Sequence, residues 1–171
     1  KYSDVEKPAY TVTVNGKAVE ADLDANKGYL PVKNIKKGDV VRIHFDMPIR
    51  TVVANAKVAD DKGKVAVERG PLVYCAEAVD NGGEPVLRAV VAKKPTFSLV
   101  DNYSIQNTET KGAPAFSVKA IKTDAQVLEE GANGISVKND KLTLIPYYAW
   151  NHRGANEMNV WFIQSLSMLD K

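Results

Sequence analysis

Residues 142–162 read LTLIPYYAWNHRGANEMNVWF, and the fold turns on how this stretch is divided. Leu142, Thr143, Leu144 and Ile145 form a strand-like run that Pro146 stops, because proline has no amide hydrogen to give a sheet ladder. Met158, Val160 and Phe162 then recur at every second position, the period of a strand running to Ile163. Residues 147–157 must therefore cross between two strands. Connecting segments normally turn polar groups outward, yet this one carries Tyr147, Tyr148 and Trp150, with Trp161 just beyond. Such rings need cover, a partner or a ligand. Tyr147, Tyr148, Trp150, His152, Arg153 and Glu157 are accordingly the candidates for ligand or domain contact. Arg153, before Gly154, is expected to clamp the loop by paired hydrogen bonds to a carboxylate such as Glu157.

The same period of two extends through most of the chain. Tyr10, Val12 and Val14 alternate with threonines, and Asn15-Gly16, two residues that tolerate positive φ, predicts a hairpin back along Val19, Ala21 and Leu23. Residues 29–35 (YLPVKNI) predict an edge strand limited by Pro31. Val41, Ile43, Phe45 and Met47 predict an apolar strand face, with Arg42, His44 and Asp46 opposite. In ERGPLVYCAE, Gly70-Pro71 predicts a bulge or bend in one long strand phrase that separates Glu68 from Glu77, and both faces beyond it are apolar, as in a central strand. Further strands are expected at 86–91, 97–100 and 116–120. Asn139-Asp140 predicts a hairpin between Ile135–Val137 and Leu142–Ile145. Residues 102–114 predict a long surface connection, and 127–130 remains open between coil and a helical turn. No apolar helical stripe of three turns is present. Many short strands punctuated by Gly, Pro, Asn and Asp predict an all-β chain, an antiparallel β-sandwich preceded by a partial sheet. The turn at 60–63 (DDKG) sets a boundary between segments 1–55 and 56–171.

Composition excludes several classes. With 23 basic and 21 acidic residues the net charge is +2, which gives no general attraction to nucleic acid, and the tract KNIKK at 33–37 is too short to supply one. No stretch approaches the roughly 20 apolar residues of a membrane span, and no signal peptide opens the chain. Lys1 rather than Met stands first, so an upstream segment is expected. Cys75, the only cysteine, allows neither an internal disulfide nor a cysteine-rich zinc site, and its apolar setting predicts a buried thiol.

Catalytic signatures are missing: no glycine-rich phosphate loop, HExxH, CxxC or Gly-x-Ser-x-Gly elbow occurs, and DDKGK at 60–64 lacks the ligand spacing of a calcium loop. A glycosidase needs two carboxylates roughly 5–10 Å apart. Asp46, Glu68, Glu77, Asp80 and Glu157 are available, and Glu157 stands out because Tyr147, Tyr148, Trp150 and His152 precede it.

VNGKAV (14–19), GYLPVKNIKKGDVVRIHFDMPIR (28–50), VAVERGPLVYCAEAVD (65–80) and the opening stretch together resemble the C-terminal part of family-127 glycoside hydrolases, the β-L-arabinofuranosidase type. The resemblance implies that residues 1–55 are a remnant of a middle β-sandwich and residues 56–171 a C-terminal β-sandwich. It also implies an (α/α)6 catalytic barrel, absent here, that holds the family's cysteine nucleophile, acid/base glutamate and zinc. None of those motifs occurs in this chain, Cys75 does not match the nucleophile, and no catalytic residue, metal ligand or cofactor is assigned within it. The implied role is an accessory β region whose partner is that barrel, in a polysaccharide-degrading protein of periplasmic or secreted setting. Two alternatives stand beside it: a carbohydrate-binding module, and a self-contained glycosidase using Glu157. Self-association of the isolated chain through the aromatic stretch is a further expectation.

Overall fold

The computed structural model describes residues 10–20, 29–100, 103, 114–123 and 137–164. Among these residues no α-helix occurs, and the all-β expectation holds. The chain divides into two compact units, Val5–Pro48 and a second containing Ile49–Lys171.

The first unit is a three-stranded antiparallel sheet in the order β2-β1-β3, from β1 (Tyr10–Val14), β2 (Lys17–Ala18) and β3 (Val41–Phe45). Asn15 and Gly16, at φ 50° and 81°, make the β1–β2 turn as their positive-φ tolerance predicts. Asn15 also braces β3: its Nδ2 donates to Asp39 Oδ1 at 2.8 Å and its Oδ1 accepts from the Val40 amide at 3.0 Å. Two expectations change here. Residues 29–35 form no strand, and all five residues of β3 are exposed, so Val41, Ile43 and Phe45 do not form a covered face. Alternation shows that a strand has two faces, not that a layer covers either of them. Ala21 and Leu23 lie outside the described residues.

The second unit contains β4 (Ile49–Val53), β5 (Lys64–Arg69), β6 (Leu72–Glu77), β7 (Val90–Val91), β8 (Phe97–Leu99), β9 (Phe116–Thr123), β10 (Val137–Pro146), β11 (Met158–Asn159) and β12 (Phe162–Gln164). Where two open layers were expected, strand pairing closes a six-strand barrel, β6-β10-β9-β7-β12-β5, with β4, β8 and β11 added outside the circuit. The circuit closes at β5. One edge of that strand pairs with β4 along Val65–Arg69. Lys64 and Val65 also pair with β12, while Val67, Glu68 and Arg69 pair with β6. Among the described strands only β7 and β12 run parallel.

Several boundaries differ from the sequence expectation: the strand expected at 86–91 forms only at Val90–Val91, and the units divide at Pro48 and Ile49, not at 55 and 56. Gly70 (φ 55°) and Pro71 form a tight hairpin, not a bulge, folding β6 back on β5 with Arg69 opposite Leu72. A glycine at the first central position is the residue order of a type II′ turn. Asn139 and Asp140 lie inside β10, opposite Ile121 and Ala120 of β9. The β9–β10 connection therefore falls in 124–136, which includes the open segment 127–130 and lies outside the described residues. The final strand is split: β11 pairs with β6, β12 pairs with β5 and β7, and the Trp161 amide donates to Asn159 Oδ1 at the break.

Side-chain alternation separates two cores. Val65, Val67, Tyr74, Ala76, Phe116, Val118, Ala120, Leu142, Leu144 and Phe162 pack in one cluster. Its Tyr74 and Phe116 rings meet at a 5.3 Å centroid distance and a 57° tilt, one of the arrangements that aromatic quadrupoles favour. The opposite parity of β6 and β10 puts Cys75 and Ile145 into a second cluster with Ala115 and Ala149. Strand β6 is thus apolar on both faces, as a central strand should be.

Candidate functional site

The second cluster is the floor of the candidate site. Pro146 ends β10, and Tyr147–Ala149 turn in a single 3₁₀ turn closed by the Trp150 amide on the Tyr147 carbonyl. Ala149 is buried on the floor, and Trp150, Tyr103, Met158 and Val160 pack around it. Tyr147 tilts against Trp150 with ring centroids 5.9 Å apart, while Tyr147 and Tyr148 remain 43% and 48% exposed. The rings of the crossing thus divide: Trp150 covers the strand surface, and the two tyrosines face outward.

The polar residues of the crossing turn inward. Glu77 is the next residue of β6 on the Cys75 face and is fully buried. Arg153 Nη2 donates to Glu77 Oε2 and to Asp80 Oδ2, each at 2.5 Å, and its Nη1 bonds Asp80 Oδ1 and the Tyr103 hydroxyl. The Tyr103 hydroxyl donates to Asp80. Glu77 Oε1 accepts from the Asn151 amide at 3.1 Å and from Asn156 Nδ2 at 3.0 Å. The carboxylate of Glu77 is therefore bonded on both oxygens to the loop that covers it. Arg153 Nε is buried without a partner.

Charge states follow from this packing. Burial alone would raise the Glu77 carboxyl, but the Asn151 amide, Asn156 and Arg153 together outweigh it and hold the group below its ordinary value. The bonds to Asp80 chiefly, and to Glu77 and Tyr103, raise Arg153 against the lowering effect of burial. Burial, then the nearby Glu77 and Asp80 charges, push the Cys75 thiol up to about 12. These are the properties of an ionised, fixed bracket. A glycosidase acid needs the opposite, a carboxyl held neutral near working pH.

Glu157 is not the partner of Arg153. Its Oε1 accepts from the Val86 and Leu87 amides at 2.5 and 2.7 Å, and its carbonyl accepts from the Ala78 amide at 2.9 Å. Two segments, at least 70 residues away in sequence, are thereby tied to the crossing. Among the described residues Asn81 is the other buried polar side chain, exchanging hydrogen bonds with the Thr143 backbone and donating to the Glu77 carbonyl at 2.7 Å. His152 is exposed. His44 is also exposed, 3.1 Å from Asp46, and Glu68 pairs with Arg50 at 2.8 Å on the β4–β5 ladder. The structure therefore joins Arg153 to Glu77 and Asp80, not to Glu157. Tyr103, Asn81 and Asn156 were not legible as members of the cluster, because their partners lie on distant segments.

Among the described residues no three His, Cys, Asp or Glu side chains are grouped to hold a metal ion. The donor set around Cys75 does not suit zinc, since its thiol is buried and held protonated. Also among the described residues, no helix is long and apolar enough to cross a membrane.

Residues 49–163 match the family model described as the glycoside hydrolase family 127 C-terminal domain. The chain is 35% identical over 159 residues to a non-reducing end beta-L-arabinofuranosidase of Bifidobacterium longum subsp. longum, covering 90% of this chain and 24% of that protein. A solved family-127 beta-arabinofuranosidase superposes with a TM-score of 0.79 at 44% identity, over 97% of this chain and 25% of that one. The family-127 beta-L-arabinofuranosidase of Geobacillus stearothermophilus T6 gives 0.73 at 28% identity, over 92% and 25%. The chain thus spans about a quarter of the length of these relatives.

Proposed function

This chain belongs to the glycoside hydrolase family 127 C-terminal domain family, and on that premise we propose that it is a non-catalytic accessory β region serving a separate catalytic barrel. The observation that carries this reading is the direction of the polar groups. Arg153, Glu77, Asp80 and Glu157 all bond within the chain, while Tyr147 and Tyr148 are left facing outward. A catalytic surface presents ionisable groups and buries its supports, whereas this one presents rings and buries the charges. We read the Val5–Pro48 unit, not the whole of residues 1–55, as part of a preceding sandwich domain, because Ile49–Val53 pair with β5 in the other unit, and the tyrosine surface as the place where a neighbouring domain docks. In that reading zinc and the reacting residues belong to the barrel. The intact protein would act on β-arabinofuranosides, as the names of its relatives suggest.

The exposed tyrosines give one observation in favour of a second reading, a carbohydrate-binding module, because aromatic faces stack on sugar rings. Three measurements separate the readings. The purified chain should not turn over aryl β-L-arabinofuranosides with or without zinc, and turnover lost in Glu157→Gln would refute the accessory role. Trp150→Ala should weaken docking to a supplied barrel domain, or self-association in the ultracentrifuge, more than it changes affinity for arabinose oligosaccharides. Saturable oligosaccharide binding abolished by Trp150→Ala, with association intact, would favour the module.

A further inference from the structure

We propose that a depression on the outer face of β8, β9 and β10 binds a carboxylate-bearing sugar residue of an acidic polysaccharide, with Lys119 and Lys141 as the charge-reading pair. The depression has a volume of about 560 Å³ and is lined by Thr96, Ser98, Ser117, Lys119, Asp140 and Lys141. A volume of this order holds a small saccharide.

Strand register explains why these residues meet. Lys141 of β10 lies directly opposite Lys119 of β9, and Ser98 of β8 lies directly opposite Ser117. The neighbours Phe116, Val118, Leu142 and Leu144 point into the core, so the residues between them must face out. Continuing the antiparallel β8–β9 register brings Thr96 level with Lys119. Hydroxyls and ammonium groups thus form two adjoining rows across three strands.

The paired lysines call for a ligand. Like charges directly opposite on an antiparallel ladder repel and weaken the sheet. Both ammonium groups are on exposed residues, and neither forms an ion pair among the described residues. Among the described residues Asp140 is the sole acidic one lining the depression, and its Oδ1 already accepts from the Lys141 backbone amide at 2.7 Å. An anionic group between Lys119 and Lys141 would relieve the repulsion. The Thr96, Ser98 and Ser117 hydroxyls, each donor and acceptor, suit the hydroxyls of a sugar ring. Among the described residues no aromatic ring lines the depression, so charge, not stacking, would select the ligand. The sugar in this inference rests on the proposed place of the chain in a carbohydrate-active protein, whereas the anion rests on the lysine pair alone.

The test is calorimetry and amide NMR titration of the 171-residue chain at low ionic strength, with digalacturonate, a neutral disaccharide of equal size, and inorganic sulfate as probes. Digalacturonate should bind saturably and move the amides of Ser98, Ser117, Lys119 and Lys141. K119Q or K141Q should each weaken it about fivefold, the size of one close charge contact at a wet surface, and K119R with K141R should retain it. Sulfate should bind at least about tenfold more weakly, and the neutral disaccharide should not compete. In the ligand-free chain K141Q should raise the melting temperature, because it removes the repulsion. Absence of saturable digalacturonate binding, or binding unchanged in the double glutamine variant, would overturn the proposal. So would sulfate or the neutral disaccharide matching digalacturonate. None of these readouts depends on barrel docking or on turnover, so the accessory role stands or falls separately.

Discussion

Arg153 meets Glu77 at 2.5 Å, although the two residues are 76 apart in sequence and Glu77 is fully buried. The pair joins the covering loop to the strand beneath it. Its strength lies in the carboxylate being satisfied on both oxygens, not in the ion pair alone, since burying two charges costs nearly as much as their attraction returns.

Removing one partner should therefore be worse than removing both. Arg153→Gln leaves a buried carboxylate without its cation and should cost roughly 3–5 kcal/mol. Adding Glu77→Gln should recover part of that loss. Urea unfolding of the single and double variants measures the coupling, and equal destabilisation by both would show that Arg153 contributes only packing.

Acid should loosen the same loop. The folded-state value of Glu77 is depressed, so the unfolded chain takes up the proton first. The stabilisation is complete above the unfolded carboxyl value of about 4.3 and is lost as pH falls through the lower folded value. Melting temperature followed from pH 7 to pH 3 should drop more steeply in the wild type than in Glu77→Gln. Parallel curves would assign the acid sensitivity to other groups.

The strands that carry short-range signals were legible in the sequence. Asn15-Gly16 specified its turn, and the alternation through Phe116–Ala120 and Leu142–Leu144 gave the core faces. Turn residues misled where tertiary pairing overrode them. Asn139-Asp140 reads as a turn but runs on as strand opposite β9, and Gly70-Pro71 reads as a bend but folds the chain fully back. At the candidate site, a loop with three large rings and an arginine before glycine was readable as a clamped crossing, and the structure has Trp150 as cover and the two tyrosines left outward. The acidic partners of Arg153 were not readable, because Glu77 and Asp80 enter only when β6 lies beneath the crossing.

Glu157 is predicted to act on stability. Its carboxylate holds the Val86 and Leu87 amides, and Glu157→Gln keeps an acceptor but removes the charge. The expected loss is about 1–2 kcal/mol, with faster hydrogen exchange at those two amides. Unchanged exchange there would mean that the anchor lies elsewhere.

Cys75 should behave as an inert core atom. Its thiol is fully buried and pushed up to about 12, so almost no thiolate exists at neutral pH. A bulky thiol reagent should label the native chain no faster than the chain unfolds. Cys75→Ala should cost about 1 kcal/mol through the small cavity it leaves. Rapid labelling at pH 7.5 would contradict the burial.

The shared edge of β5 has a consequence for synthesis. Lys64 and Val65 wait for Phe162 and Ile163, and the parallel β7–β12 contact likewise needs a segment made about 70 residues later. A ribosome-bound nascent chain that stops before Phe162 can zip β4, β5 and β6 together, but it holds one open seam along β5 and another along β7. Unpaired strand edges of this kind recruit other chains. Aggregation of arrested nascent chains should therefore fall abruptly once residues 162–164 clear the exit tunnel, making β12 the latch of vectorial folding.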